Sequence, residues 1–217
     1  MIETNNVCED QALSRSSLYY FLSMLFLTPP GSDSIAKVGE LVSSAKESMH
    51  LGDQATGLLP ILHATDDEDI QNHIQEYHDL FKVPLEKYVA PYESVYREKR
   101  MSGQTAAAVK KIYALVGFAI PHEYYEREDH IGIELAFMAT LCREEITAST
   151  NNRFDLVKAL LGMENKFLEE HLVCWLPDLC DKIFEKTENW FYRAVAKITL
   201  EFVQCDANSV QVLLDQT

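Results

Sequence analysis

Apolar residues recur along this chain with the 3.6-residue period of amphipathic helices, and no pair of alternating segments is joined by a hairpin turn. From Gln11 to Leu27 the apolar positions run almost all round, which predicts a central helix closed by Thr28-Pro29-Pro30-Gly31. A polar helix over about 34–49 and a short one over about 54–63 follow. The acidic run Asp66-Asp67-Glu68-Asp69 then caps a helix whose stripe is Ile70, Ile74, Tyr77 and Phe81. Between Lys82 and Gly103 the period is lost in an aromatic segment bracketed by Pro84 and Pro91. Long irregular segments inside compact domains are often functional. The helical pattern resumes over 105–116, breaks at Gly117 and Pro121, and restarts near Glu128. From Asp129 to about Thr147 two apolar lanes predict a helix buried on most sides. A further helix starts near Asn152 and runs to a break at Pro177. Leu179 to Lys186 reads as a short helix, Asn189 to Gln204 as a long one, and 206–215 as a final turn or two. The class is all-α: a single helical domain of about 8–11 helices. Within it the pattern suggests an N-terminal lobe over 1–116, a hinge over 117–125 and a C-terminal lobe over 126–217.

Composition sharpens this picture. Gly (8) and Pro (7) are scarce, and Leu with Ala (43) outnumber Val with Ile (26), as long helices require. The formal charge of −15 excludes a general grip on a nucleic-acid backbone. The five cysteines are scattered without a C-x-x-C pair, which predicts neither a disulfide framework nor a zinc knuckle and suits a reducing cytosol. The longest apolar run, Leu18 to Leu27, falls well short of the roughly 20 residues of a spanning helix. No basic leader precedes it and the chain contains no Arg-Arg pair, so no export signal of its own is expected.

Candidate chemistry concentrates in two places. Glu126 to Glu134 is the densest polar cluster. Asp129 or Glu128 is expected to cap the following helix there, and His130 to meet Glu134 one turn on. By itself the cluster also fits an ordinary capped helix start. Tyr77, Leu80, Phe81, Pro84, Pro91, Tyr92, Ser94 and Tyr96 form the second cluster, either core packing or an aromatic groove for an apolar peptide. A di-metal helical bundle needs two E-x-x-H motifs, and only Glu47 to His50 has that spacing, so no metal site is expected. No phosphate loop, nucleophile elbow or Cys-His pairing marks an enzyme, and no catalytic residue is assigned.

Taken in order, the strings YHDLF (77–81), APYESVYREK (90–99), EREDHIGIELAFMATL (126–141), FLEEHLVCWLPDL (167–179) and WFYRAVAKITLEF (190–202) resemble the TorD/DmsD/NarJ family of cytoplasmic redox-enzyme maturation chaperones. The resemblance implies a helical, non-enzymatic protein that binds the twin-arginine signal peptide and the apo form of a molybdenum-cofactor oxidoreductase subunit. Such a chaperone supports cofactor insertion and delays export. Carried over by position, peptide-binding residues fall on Leu80, Phe81, Pro91, Tyr92, Glu93, Ser94 and Tyr96, and on Glu128, Asp129 and His130. Two departures stand out: Arg127-Glu128 occupies the place where a proline usually precedes the acidic-His step, and Tyr92 and Tyr96 stand where some members carry tryptophan. The resemblance implies no resident cofactor, with weak guanine-nucleotide binding known among members. It also implies a monomer or a homodimer formed by exchange about the 117–125 hinge. A leader joins a cationic pair to an apolar stretch, so carboxylates at Glu126, Glu128 and Asp129 beside the aromatic segment suit it. Two other classes stay open at this point: a helical metal protein or enzyme using Asp129, His130 and Glu134, and a regulatory adaptor with a folded, non-exported partner.

Overall fold

The computed structural model describes residues 2–31, 33, 36, 37, 40 and 67–216, with side chains from Asp10 onward. Of the helix expected over 34–49 only Ala36, Lys37 and Glu40 are described, all helical, and the helix expected over 54–63 lies outside the described residues, as does the Glu47–His50 pair. The described helices are α1 (Ile2–Leu27), α2 (Asp67–Tyr77), α3 (Glu93–Glu98), α4 (Gln104–Leu115), α5 (Ile131–Thr150), α6 (Phe154–Phe167), α7 (Val173–Lys186) and α8 (Trp190–Gln216). Two single π turns, His78–Lys82 and Leu168–Leu172, continue α2 and join α6 to α7. Among the described residues there is one isolated antiparallel bridge, Tyr92 with His130, and no strand. The all-α class is what the architecture shows.

The centre of the molecule is the antiparallel pair α1 and α5. Leu18, Tyr19, Leu22, Leu25 and Phe26 of α1 are buried, as are Ile131, Ile133, Leu135, Phe137, Met138 and Leu141 of α5. At one end of the pair the backbones approach closely over Gly132. A Cβ there would lie 2.6 Å from Leu27 Cγ and 3.0 Å from the Ser23 carbonyl oxygen. Further along, Ser16 Oγ donates to the Ala139 carbonyl at 2.9 Å. α6 packs on α5 and α8, and α8 also lies against α7 and α1. One hydrophobic cluster runs through α1, α2, α4 to α8 and the two π turns, so the core is continuous on both sides of residues 117–125. That segment is irregular: Gly117 takes a left-handed φ of 70°, and Phe118, Ile120 and Tyr124 pack on the core.

Four boundaries differ from the periodicity, the first being the start of α1, at Ile2 rather than near Gln11. α8 continues unbroken to Gln216, and a short α3 forms within the segment expected to be irregular. Pro177 does not end a helix: it lies inside α7, flanked by the fully buried Trp175 and Leu176. A packed helix carries a proline as a kink rather than a stop. The ladder is interrupted instead at Leu168–Leu172 by the wider π turn.

A buried ionic cluster fastens α1 to three other helices. Arg15 is fully buried and donates to Asp206 Oδ1 of α8 at 2.6 Å, to Glu145 Oε2 of α5 at 3.0 Å, and to Glu164 Oε2 of α6. Tyr19 donates to Asp206 Oδ2 at 2.6 Å. One guanidinium faces three carboxylates, and ionising all of them would leave excess negative charge in the core. A proton offsets part of it. Burial, against the pull of Arg15, pushes the Glu164 carboxyl up to about 8, and Glu145 beside it is raised for the same first reason. A buried ion pair broken on one side leaves the other side uncompensated, which costs about 3–5 kcal/mol.

Arg15→Met should therefore lower unfolding free energy by about that amount in denaturant titrations. Because Glu164 binds its proton more tightly folded than unfolded, its contribution is complete at acid pH and is lost as pH rises through about 8. Melting temperature measured against pH should fall there, and Glu164→Gln should flatten that fall. Gly132→Ala should cost about 1–3 kcal/mol, read in the same denaturant titration, because the Ser23 carbonyl and Leu27 stand in the way.

Candidate functional site

The aromatic segment after α2 is an arm laid over the start of α5. In the π turn the Val83 amide reaches back to the His78 carbonyl at 2.9 Å, an i to i+5 bond. The wider turn carries Leu80 and Phe81 into the core, where Phe81 packs edge-on against Phe26 and Tyr192. π turns frequently mark functional positions. The chain then loops outward through Val83, Pro84 and Leu85, all exposed, with Leu85 at 75%. It returns where the Val89 amide donates to the Leu80 carbonyl at 2.8 Å.

From Pro91 to Ser94 the arm is clamped to residues 129–131. The Ile131 amide donates to the Pro91 carbonyl and the Glu93 amide to the Asp129 carbonyl, both at 2.9 Å. Asp129 Oδ2 accepts from the Ser94 amide at 3.0 Å and so satisfies an N-terminal donor of α3 from across the chain. His130 is the N-cap of α5, its Nδ1 accepting from the Gly132 amide at 3.0 Å. That bond assigns the ring hydrogen to Nε2, which faces Glu126 at 3.9 Å. Burial lowers the His130 imidazole to about 4, so it is neutral at physiological pH. Tyr92 stacks edge-on against His130 and donates its hydroxyl to Glu126 Oε2 at 2.6 Å, while Lys82 holds the other oxygen. Burial raises Glu126, but the His130 ring, which gains its charge only in the same acid range, and the bonds from Lys82 and Tyr92 prevail and hold it below the usual carboxylate range.

The structure thus brings the ten sequence-derived candidates to one end of the molecule, in different degrees of burial. Leu80, Phe81, Pro91, Glu93, Ser94, Asp129 and His130 are buried; Tyr92, Tyr96 and Glu128 are partly exposed. Two sequence expectations are corrected. His130, rather than Asp129 or Glu128, caps α5, because Asp129 is already turned onto α3. His130 meets Glu126 rather than Glu134, because its extended backbone (ψ 133°) places it outside the helical register. Glu128 is held by Lys110 at 2.7 Å.

Behind the arm lies a polar network that the sequence did not reveal. Glu93 is fully buried, accepts from Arg97 Nη1, and has both carboxyl oxygens within 3.1 Å of His171 Nδ1. Arg97 also donates to the Glu170 carbonyl at 2.8 Å in the second π turn. Trp175 Nε1 donates to the buried Glu134 at 3.1 Å, and Tyr96 packs on the Trp175 ring. The spacing of His171 and Trp175, one helical turn apart in FLEEHLVCW, was the available signal for a shared face. On the outer side of this network a cavity of about 850 Å³ is lined by Arg97, Glu98, Thr105, His171 and Cys174, among others.

The metal-ligating residue types that come together among the described residues are Cys142, Glu145 and Glu164, all buried, with one ligand atom each within 4.8 Å of the others. Arg15 donates to both carboxylates, so the cation held there is the guanidinium. Among the described residues no helix is long and apolar enough to cross a membrane.

Comparison with known proteins follows the same lines. The family described as nitrate reductase delta subunit matches residues 44–181. Chaperone protein TorD from Vibrio cholerae serotype O1 is 26% identical over 211 residues, covering 94% of each chain. Its counterpart from Aliivibrio fischeri is 25% identical and covers 88% of this chain and 92% of its own. Among solved structures, one described as a redox enzyme maturation protein from Archaeoglobus fulgidus superposes with a TM-score of 0.54 at 22% identity, over 85% of this chain and 93% of that one, which shows a shared fold. The chain belongs to the nitrate reductase delta subunit family, the TorD/NarJ family that its five motifs resemble.

Proposed function

We propose that this protein is a non-enzymatic cytoplasmic chaperone for a molybdenum-cofactor oxidoreductase subunit, and that it binds the subunit's twin-arginine leader on the arm over 82–92 and its neighbour Glu126. Family membership supports the chaperone class. One observation carries the assignment of the surface: an exposed apolar loop tip, Val83 to Leu85, lies on a rigid base and beside a carboxylate. The base is rigid because Asp129, His130 and Glu93 are spent on internal bonds. A leader's apolar stretch finds Val83, Leu85 and the Tyr92 ring. Its guanidinium pair finds Glu126, where a bidentate donor competes well with the single ammonium of Lys82. Rigid aromatic and aliphatic contacts of this kind give area at small entropic cost. The net charge of −15 favours encounter with a basic peptide. On this reading the protein retains its client until the cofactor is in place, and it acts as a monomer or as a dimer exchanged about 117–125.

Titrating the purified protein with each twin-arginine leader of its own genome, beside an Arg-Arg to Lys-Lys control, tests the reading. One or two leaders should bind, and Leu85→Ser and Tyr92→Ala should each weaken binding about tenfold, because a central apolar or aromatic anchor is worth over about 1 kcal/mol. Asp129→Ala should weaken it indirectly, with loss of stability, since Asp129 fastens α3. Binding indifferent to the Arg pair, or none, would contradict the reading and turn the search to folded partners of an adaptor.

A further inference from the structure

Glu134 stands in the first turn of α5 and is fully buried, as is Glu93 at the start of α3. The two carboxyls lie against each other. Glu134 Oε2 accepts from Trp175 Nε1, whereas its Oε1, also buried, has no donor among the described residues. The surroundings do not supply enough positive charge for both acids. The other acidic groups that interact electrostatically with Glu134 are Asp129 of the preceding loop and Tyr113 of α4. On the far side of Glu93 stand the Arg97 guanidinium, 40% exposed, and the His171 ring of the second π turn. Two carboxyls in contact in a dry site do not both ionise. An acceptor atom with no donor, pressed against a second acid, is what a shared hydrogen would satisfy.

We infer that Glu134 carries a proton on Oε1 and donates it to Glu93, and that this bond makes Glu134 the positioning residue for the arm that receives the leader. Glu93 directly follows Tyr92, and the Pro91–Ser94 clamp hangs on its place. With the proton present, α3 is bonded to α5 through Glu93 and Glu134 and to the second π turn through His171 and Arg97. Without it, two negative charges repel across the α3–α5 contact and Tyr92 is displaced with them. Burial, with the Glu93 charge second, raises Glu134 well above the ordinary carboxylate range, the direction that retains the shared proton, which is lost as pH rises. The binding half of the inference rests on the leader-binding reading above; the shared proton does not.

The test is a titration of the full-length protein from about pH 6 to about pH 10 with two readouts. The first is Trp175 emission in a Trp190→Phe background, since these are the two tryptophans and the Trp175 indole hydrogen touches Glu134 directly. The second is affinity for the leader identified above. The wild type should show an emission step that Glu134→Gln lacks, because the amide donates to Glu93 and accepts from Trp175 at every pH. Across that step leader affinity should fall about tenfold in the wild type and stay within about twofold in Glu134→Gln, while Glu134→Ala binds weakly throughout. An emission step unchanged in Glu134→Gln, or a Gln variant that binds no better than the Ala variant, would overturn the inference. If no leader binds any form, the leader-binding reading fails, and the emission step alone still decides the shared proton.

Discussion

A helix that is buried on nearly every side must bring its own solution for any acid it buries, and α5 buries two. Glu145, near its far end, is answered by Arg15 and shares its site with Glu164. Glu134, in its first turn, is answered by Trp175 and lies against Glu93. Each acid ties α5 to a different neighbour. The first draws in α1, α6 and α8; the second draws in the arm, α7 and, through His171, the second π turn. Desolvation makes both attachments all-or-none, since a buried carboxylate that loses its partner is far costlier than one that never was buried. The architecture therefore fixes the entry of α5, where the arm is clamped, as firmly as its core.

That rigidity is what the arm uses. Seven of the ten residues picked out by resemblance to known chaperones are buried, and the side-chain bonds of Asp129, His130 and Glu93 are made within the protein. Asp129 caps α3, His130 caps α5, and Glu93 anchors the segment from behind. The surface left to a ligand is made by their neighbours: Val83 and Leu85 at the loop tip, Tyr92 on its face, and Glu126 with Lys82 at its edge. On the proposed function, substitutions at Asp129 or His130 therefore act on leader binding through the shape of the arm.

Much of the fold was legible because long apolar stripes have few alternatives. The helices α1, α4 and α5 follow from their patterns to within a few residues, except at the start of α1, which extends to Ile2. The π turns were not legible, since one extra residue in a turn shifts the register without removing the apolar period. Pro177 misled for a related reason: a proline stops an isolated helix but only bends one pinned by Trp175 and Leu176. The buried acids were hidden by their chemistry. Arg15, Glu145, Glu164 and Asp206 lie on four separate helices, and only tertiary packing brings them together. Asp129 was legible as a cap but not as the cap of another helix, because its partner Ser94 lies 35 residues earlier.

On the proposed function, buried acids fix a rigid base for an exposed apolar arm, and the arm is what a leader touches. Amide chemical-shift mapping of isotopically labelled protein with a bound twin-arginine leader tests this most directly. The account predicts the largest changes at residues 82–92 and 125–130, with the α1–α5 pair undisturbed. Changes centred instead on the cavity lined by Arg97, Glu98 and His171, or spread through α1 and α5, would contradict it.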